Sequence, residues 1–357
     1  MDLDFFALSL AEICEHSFVS PGRPLNCTII ANPAAGGFTI RSRWKSHVKT
    51  LSEYCQKASA NPQRAMHKKV ELIHTEGKGF CERITRAIID EAEKQPGPFY
   101  LIITAGGDGT HGEAELALYN APAHVRSNMA ILRLPMGTGN DGSDGAHLAH
   151  ALDLLINPVH IGFAPAVQLT TAYGGPASGN GPFLAFNILS VGLDAFVTHM
   201  TNKMKGKMPG DSYKLWVDIA ALFYDKTYKV DFMEVRALDE QNREIHSFRE
   251  ELLLLAMGVS GHRTYGSQNK ILPDERNVCA MKQMSVLRKM LIKGQVAKGT
   301  HTSSPEPILF NAHRLEFSGG FPMLAQMDGE TVLLQTEDFP AVMELTAPVI
   351  PLLKLSN

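Results

Sequence analysis

The sequence contains no apolar run approaching the roughly 18 residues that cross a bilayer, and it opens on Met1-Asp2-Leu3-Asp4, acidic where a secretory leader is basic. Neither a membrane span nor export is expected. Charge of one sign is also scarce: 34 Lys and Arg stand against 37 Asp and Glu, and no basic domain or stripe marks a general nucleic-acid binder. The five cysteines, Cys14, Cys27, Cys55, Cys81 and Cys279, are odd in number and form no CxxC pair. They are expected to be reduced thiols of a cytoplasmic protein, without a disulfide framework or structural zinc. Three catalytic signatures are missing as well: G-x-x-x-x-G-K-[ST], H-E-x-x-H and G-x-S-x-G. Their absence removes the standard P-loop and argues against zinc proteases and serine hydrolases.

What is present is a chain of 357 residues, long enough for two packed domains. Leu3, Phe5, Phe6, Leu8, Leu10 and Ile13 crowd the first segment. It is expected to pack as a helix, because its polar positions carry Asp2, Asp4, Glu12 and Glu15 where a membrane-binding face carries cations. Strand and helix patterns then alternate: strands over Leu25–Ala31, Val70–His74, Phe99–Thr104 and Ala130–Pro135, helices over Ile40–Lys57, Gly79–Lys94, His111–Tyr119 and His147–Ile156. Repeated units of this length predict a Rossmann-like parallel α/β domain over residues 1–160, with ligands beyond the carboxyl ends of the strands. From His160 the pattern changes to long strands. A mostly antiparallel β-sandwich domain is expected over 161–335, interrupted by helices at Leu193–Lys207 and Tyr213–Tyr224 and a glycine-rich loop at Tyr173–Pro182. The tail 336–357 can return to the first domain.

Three carboxyl ends carry glycine loops: Asn32-Pro33-Ala34-Ala35-Gly36-Gly37, Ala105-Gly106-Gly107-Asp108-Gly109-Thr110 and Pro135-Met136-Gly137-Thr138-Gly139-Asn140-Asp141. Glycines let backbone amides approach an anion closely, and a helix N-terminus adds partial positive charge. Thr75, in the loop after His74, offers a hydroxyl on the same edge. Asp108 is the informative exception, since a carboxylate among phosphate-binding amides is repelled unless it holds Mg²⁺, orients an acceptor hydroxyl or takes its proton. Each loop alone is also an ordinary turn, with Asp108 a simple helix cap; three on one edge favour a nucleotide site. Gly137 to Gly142 also fits G-x-G-x-x-G, but it follows several earlier βα units, where a dinucleotide fingerprint belongs on the first.

With Gly106 to Glu113 reading Gly-Gly-Asp-Gly-Thr-x-x-Glu and Gly137 to Asp141 reading Gly-Thr-x-Asn-Asp, after Asn-Pro-x-x-Gly at Asn32, the chain resembles the diacylglycerol kinase catalytic domain, a superfamily that includes bacterial lipid kinases and sphingosine kinases. Asn187 to Ala195 and Asp328-Gly329-Glu330 are similar to later segments of that family. The resemblance implies ATP-dependent phosphorylation of a lipid hydroxyl, with Mg²⁺, in a cleft between an α/β domain and a β-sandwich. It implies that Asn32, Pro33, Gly36, Gly137 and Thr138 line the nucleotide, that Thr75 and Gly106, Gly107, Asp108, Gly109 and Thr110 face its phosphates, and that Glu113 belongs to the same motif. Asn140 and Asp141 would order their loop, and Asp194 would join the acidic network. Asp108, Asp328 and Glu330 are the candidate proton acceptors. A lipid substrate met at a membrane surface, with peripheral contact, is the implied partner, and no nucleic acid.

The chain departs from the family pattern at three places. Gly142-Ser143-Asp144 stand where most members have Phe-Ala-Arg, Ser190 replaces a glycine, and Pro273 to Val278 shortens the acidic loop that builds a structural Mg²⁺ site in bacterial members. NAD kinases and phosphofructokinases share the Gly-Gly-Asp-Gly loop, and a non-catalytic nucleotide-binding regulator is the alternative outside enzymes. Lys203, Lys205, Lys207 and Lys214 form a basic run, a solvated face or a contact for anionic headgroups.

Overall fold

The computed structural model describes residues 2–19, 22–61, 68–174, 183–204, 221–266 and 268–356. Residues 175–182 and 205–220, which include most of the glycine-rich loop, much of the Tyr213–Tyr224 segment and Lys205, Lys207 and Lys214, lie outside the described residues. The chain divides into two compact units, Met1–Ala164 with Pro348–Asn357, and Pro165–Ala347.

The first unit is built on a six-stranded sheet in the order Lys68–His74, Leu25–Ala31, Phe99–Gly106, Met129–Pro135, Ile350–Leu355, Val159–Ala164. Every residue of Phe99–Gly106 and Met129–Pro135 is buried, as expected of central parallel strands covered on both faces. Alternate residues serve opposite faces. Leu101, Ile103 and Ala105 join Phe6, Leu10, Ile13, Leu51 and Leu152 of three helices in one core, where Phe6 meets Phe38 edge-on at 5.1 Å. The Leu3–Glu15 helix begins at Asp2, whose carboxylate accepts the Phe5 N–H. Ala31 stands opposite both His74 and Ala105, and Gly106 opposite Pro135. The four strands therefore end level, and their loops share one edge.

The strand through His160 runs antiparallel to Ile350–Leu355 and belongs to this sheet. Its reversed direction is why the sequence pattern seems to change domain there. The tail also divides differently from expectation: Ala341–Leu345 pairs in the second unit, and only Ile350–Leu355 returns to the first.

The second unit is an eleven-stranded antiparallel sheet with a separate two-stranded ribbon. Its longest strand, Glu244–Gly258, pairs with Phe232–Leu238 along its first half and with Ile188–Gly192 and Val278–Lys282 along its second. The sheet curls so that both halves share one core, including Leu169, Val235, Leu255, Met257, Phe317 and Met343. The Val286–Lys298 helix is bounded by a Ser285 cap and by Gly299 at φ 76°. Among the described residues no helix is long and apolar enough to cross a membrane.

Candidate active site

Backbone bonds stitch the three glycine loops of the first unit together. Asn32 N–H donates to Ala105 O at 2.9 Å, Gly37 N–H to Met136 O at 2.7 Å, and Met136 N–H to Gly106 O at 3.1 Å. The Asn32 side chain accepts the Ala34 N–H at 3.0 Å, turning the chain past Pro33. Its Nδ2 lies 3.4 Å from Thr110 Oγ1, reaching the second loop. A methyl group on Gly137 would stand 2.4 Å from Gly107 Cα, and one on Gly36 would stand 3.3 Å from Thr138 Oγ1. Asn140, in the left-handed region at φ 61°, closes the third loop by accepting the Gly137 N–H at 2.6 Å. Gly109, by contrast, has nothing within 4 Å of the place a methyl would take.

These contacts separate two kinds of glycine. Gly137→Ala is expected to cost about 1–3 kcal/mol, because neither backbone can yield, and to lower the urea midpoint. Gly109→Ala is expected to leave the midpoint unchanged or raise it, since alanine favours the helix it enters.

Asp108 opens the Asp108–Tyr119 helix, and its carboxylate accepts the Gly142 N–H at 2.8 Å. Its Oδ2 and that of Asp141 each lie 3.0 Å from where a Gly139 methyl would stand, so two carboxylates converge over one glycine. Burial pushes the Asp108 carboxyl up to about 6, with Asp141 acting in the same direction against the pull of the Gly142 amide. Among the described residues no group of three or more His, Cys, Asp and Glu is placed to hold a metal ion. Asp141, beside Asp108 over Gly139, nevertheless offers a carboxylate to Mg²⁺, which keeps waters and is commonly held by one or two carboxylates plus substrate phosphates.

Glu113 faces the neighbouring helix: its two oxygens accept the N–H groups of Gly79 at 2.7 Å and Cys81 at 3.0 Å, at the start of Phe80–Lys94. It thereby anchors the loop that contains Thr75, whose own N–H donates to Ala31 O at 2.8 Å. His111 is a core residue. Its Nδ1 pairs with Thr104 Oγ1 at 2.8 Å, and burial together with Arg133 pushes it down to about 3, so it stays neutral.

Two arginines were not singled out from sequence. Arg133, 4% exposed, reaches Glu115 at 2.8 Å and Asp144 at 2.6 Å, while its backbone N–H also donates to Asp144. It ties the far end of the Gly137–Asp144 loop to the strand beneath. A single charge inside Ala130-Ile131-Leu132-Arg133-Leu134-Pro135 was the available signal. Arg43 donates to Gly137 O at 3.3 Å, and its Nη1 lies 3.1 Å from the methyl position of Gly36, which puts a cation at the lip of the loops.

In the second unit, Asp328 and Gly329, at φ 47° and 102°, form the hairpin turn before Glu330. The Asp328 carboxylate accepts the N–H groups of Phe186, Asn187 and Ile188. Glu330 begins the returning strand and is exposed. Asp194 lies in the first turn of Leu193–Met204 and accepts the Ser190 hydroxyl at 2.7 Å.

Residues 26–160 match the family described as the diacylglycerol kinase catalytic domain. Proteins of Yersinia pestis (strain Pestoides F) and Yersinia pseudotuberculosis serotype O:1b, each named "Probable lipid kinase YegS-like", are 25% identical over 225 residues, 61% of this chain and 68% of theirs. A crystal structure of a "putative diacylglycerol kinase" from Bacillus anthracis str. Sterne superposes with a TM-score of 0.58 at 17% identity, covering 92% of this chain and 94% of that one. A second, of a diacylglycerol kinase from the same strain, gives 0.54 at 15% identity over 92% and 96%. At these identities the two structures establish the fold.

The three departures from the diacylglycerol kinase pattern have local explanations. Asp144 stands where members carry arginine, and it pairs with Arg133 from the strand below. Ser190 supplies the hydroxyl that holds Asp194, and Gln326 donates to that hydroxyl at 2.9 Å. In the shortened acidic loop, Asp274 is bridged by Arg276, which holds its carboxyl down at about 2.

Proposed function

We propose that the chain is an ATP-dependent lipid kinase, transferring the γ-phosphate of ATP to a lipid hydroxyl such as that of diacylglycerol or a sphingoid base. The observation that carries this reading is Asp108, a carboxylate with a raised pKa set among three glycine loops and beside Asp141. The first unit binds the nucleotide and the second the lipid. Asn32, Pro33, Gly36, Gly137 and Thr138 line the nucleotide, Thr75 contacts phosphate, and the loop Gly106 to Thr110 faces the phosphates. Asn140 and Asp141 shape the third loop, and Glu113 acts through the helix start it caps.

Phosphoryl transfer asks little covalent chemistry of a protein beyond positioned phosphates and a proton acceptor. Mg²⁺, when bound with ATP, supplies neutralising charge to the phosphates. Asp108 accepts the proton of the lipid hydroxyl as its oxygen bonds to the γ-phosphorus and ADP leaves. A base with a pKa near 6 suits neutral pH. Asp328 is the weaker candidate, because a carboxylate accepting three amides is a poor base. Glu330 is the third candidate acceptor, and Asp194 accepts the Ser190 hydroxyl within the second unit. The protein works in the cytoplasm with peripheral membrane contact.

ATP consumption by the purified protein with Mg²⁺, against diacylglycerol, sphingoid base, monoacylglycerol and phosphatidylglycerol in mixed micelles, tests the reading. Transfer to NAD or fructose 6-phosphate instead would move the protein to a sister activity; nucleotide binding without turnover would make it a regulator. Two variants refine the assignment. Gly109→Ala is expected to weaken nucleotide affinity at least about tenfold with stability intact, because only the ligand's phosphates need that space. Arg43→Met is expected to raise the KM for ATP about tenfold with little change in kcat, the signature of a ground-state phosphate contact.

A further inference from the structure

The Val286–Lys298 helix of the second unit turns one apolar face inward and a second outward. Ile292 packs against Ile188, Ile271 and Leu272. Leu287, Met290 and Leu291, spaced i, i+3 and i+4, are 75%, 55% and 62% exposed. That spacing makes one continuous stripe on a helix, and a stripe of large apolar side chains facing water marks an interaction surface. The charges on this helix select its partner. It contains no Asp or Glu and four cations, Arg288, Lys289, Lys293 and Lys298. The nearby acidic groups are engaged: Glu306 by Arg288 and Asp225 by Lys289 at 2.8 Å. Lys293 and Lys298 are exposed beside the stripe, as is Lys270, whose side chain packs near Gly299.

We infer that Leu287, Met290 and Leu291 dock the protein on an anionic bilayer surface, the three side chains entering the headgroup boundary while the lysines meet lipid phosphates. An interfacial helix combines these two features. The inference rests on the lipid kinase reading, since a lipid acceptor lies in a bilayer, and it names the surface that reaches it.

Sedimentation with vesicles of phosphatidylcholine, with or without phosphatidylglycerol, tests this on the full chain without nucleotide. Wild type is expected to bind the phosphatidylglycerol vesicles, less at high salt, and the triple variant Leu287→Gln, Met290→Gln, Leu291→Gln to bind at least about tenfold more weakly with an unchanged urea midpoint. Lys298→Gln is expected to show a smaller loss that disappears at high salt. Wild-type binding no stronger than that of the triple variant would overturn the proposal. So would a wild-type dimer that the triple variant dissociates without any effect on vesicles, because the stripe would then join two copies. Transfer to a short-chain diacylglycerol in solution judges the kinase reading separately: the triple variant retains it if that reading holds, whatever the vesicles show.

Discussion

Asp108→Asn is expected to lower kcat/KM for phosphoryl transfer by about 10³-fold, within the range that a positioned proton acceptor contributes, and at the same time to stabilise the protein at pH 8. The two effects share one cause. Burial holds the folded-state pKa near 6, above the 3.8 of an ordinary aspartate. The folded protein therefore keeps its proton longer than the unfolded chain does. The stabilising contribution is complete below about pH 4 and is lost as pH rises through about 6. A charged Asp108 thus costs on the order of 2 kcal/mol above that window, from a shift of about two units partly offset by solvent at its rim. Asparagine removes the charge yet keeps an oxygen for the Gly142 N–H. Urea unfolding at about pH 4 and about pH 8 should show most of the variant's gain at the higher pH. Wild-type kcat/KM should rise with pH and level off above about 6; a flat profile, or a variant less stable at pH 8, contradicts the assignment.

Arg133→Met is expected to cost about 3–5 kcal/mol, because it leaves two buried carboxylates without their cation. The side chains of Arg133, Glu115 and Asp144 are only 5–9% exposed. Burial opposes the charge on Arg133, and Asp144 and Glu115 outweigh it. A loss of that size is a large share of a typical domain's 5–15 kcal/mol. Replacing the whole cluster, with Arg133→Met, Glu115→Leu and Asp144→Asn together, is expected to recover most of it, since a buried ion network is often no more stable than an apolar filling. Urea unfolding at pH 7 distinguishes the two. A single variant as stable as wild type would show that the cluster does not hold the loop.

The alternating strands and helices of the first unit were legible because Phe99–Gly106 and Met129–Pro135 are buried throughout and apolar but for Thr104 and Arg133, as strands covered on both faces tend to be. The glycine loops were legible for the opposite reason: their backbones approach so closely, as at Gly107 and Gly137, that little else fits. The site residues legible least were those whose partners are distant. Arg133 finds Asp144 and Glu115 at separations of 11 and 18 residues, and Asp328 finds its amides about 140 residues away. Nothing local announces such pairs. The helix at Asp108 begins three residues before the expected His111, since glycine and threonine lower local helix propensity while the sheet above sets the start. The strand through His160 was assigned to the wrong sheet because alternation gives strand and face but not partner.

Transfer of isotope-labelled γ-phosphate from ATP into the organic-extractable lipid fraction, with wild type beside Asp108→Asn, decides whether the protein is a lipid kinase that uses Asp108 as its base. Label is expected in one lipid class, dependent on Mg²⁺ and about 10³-fold slower in a variant that is fully folded. Label that never leaves the aqueous phase, or equal transfer by the two proteins, would contradict that reading.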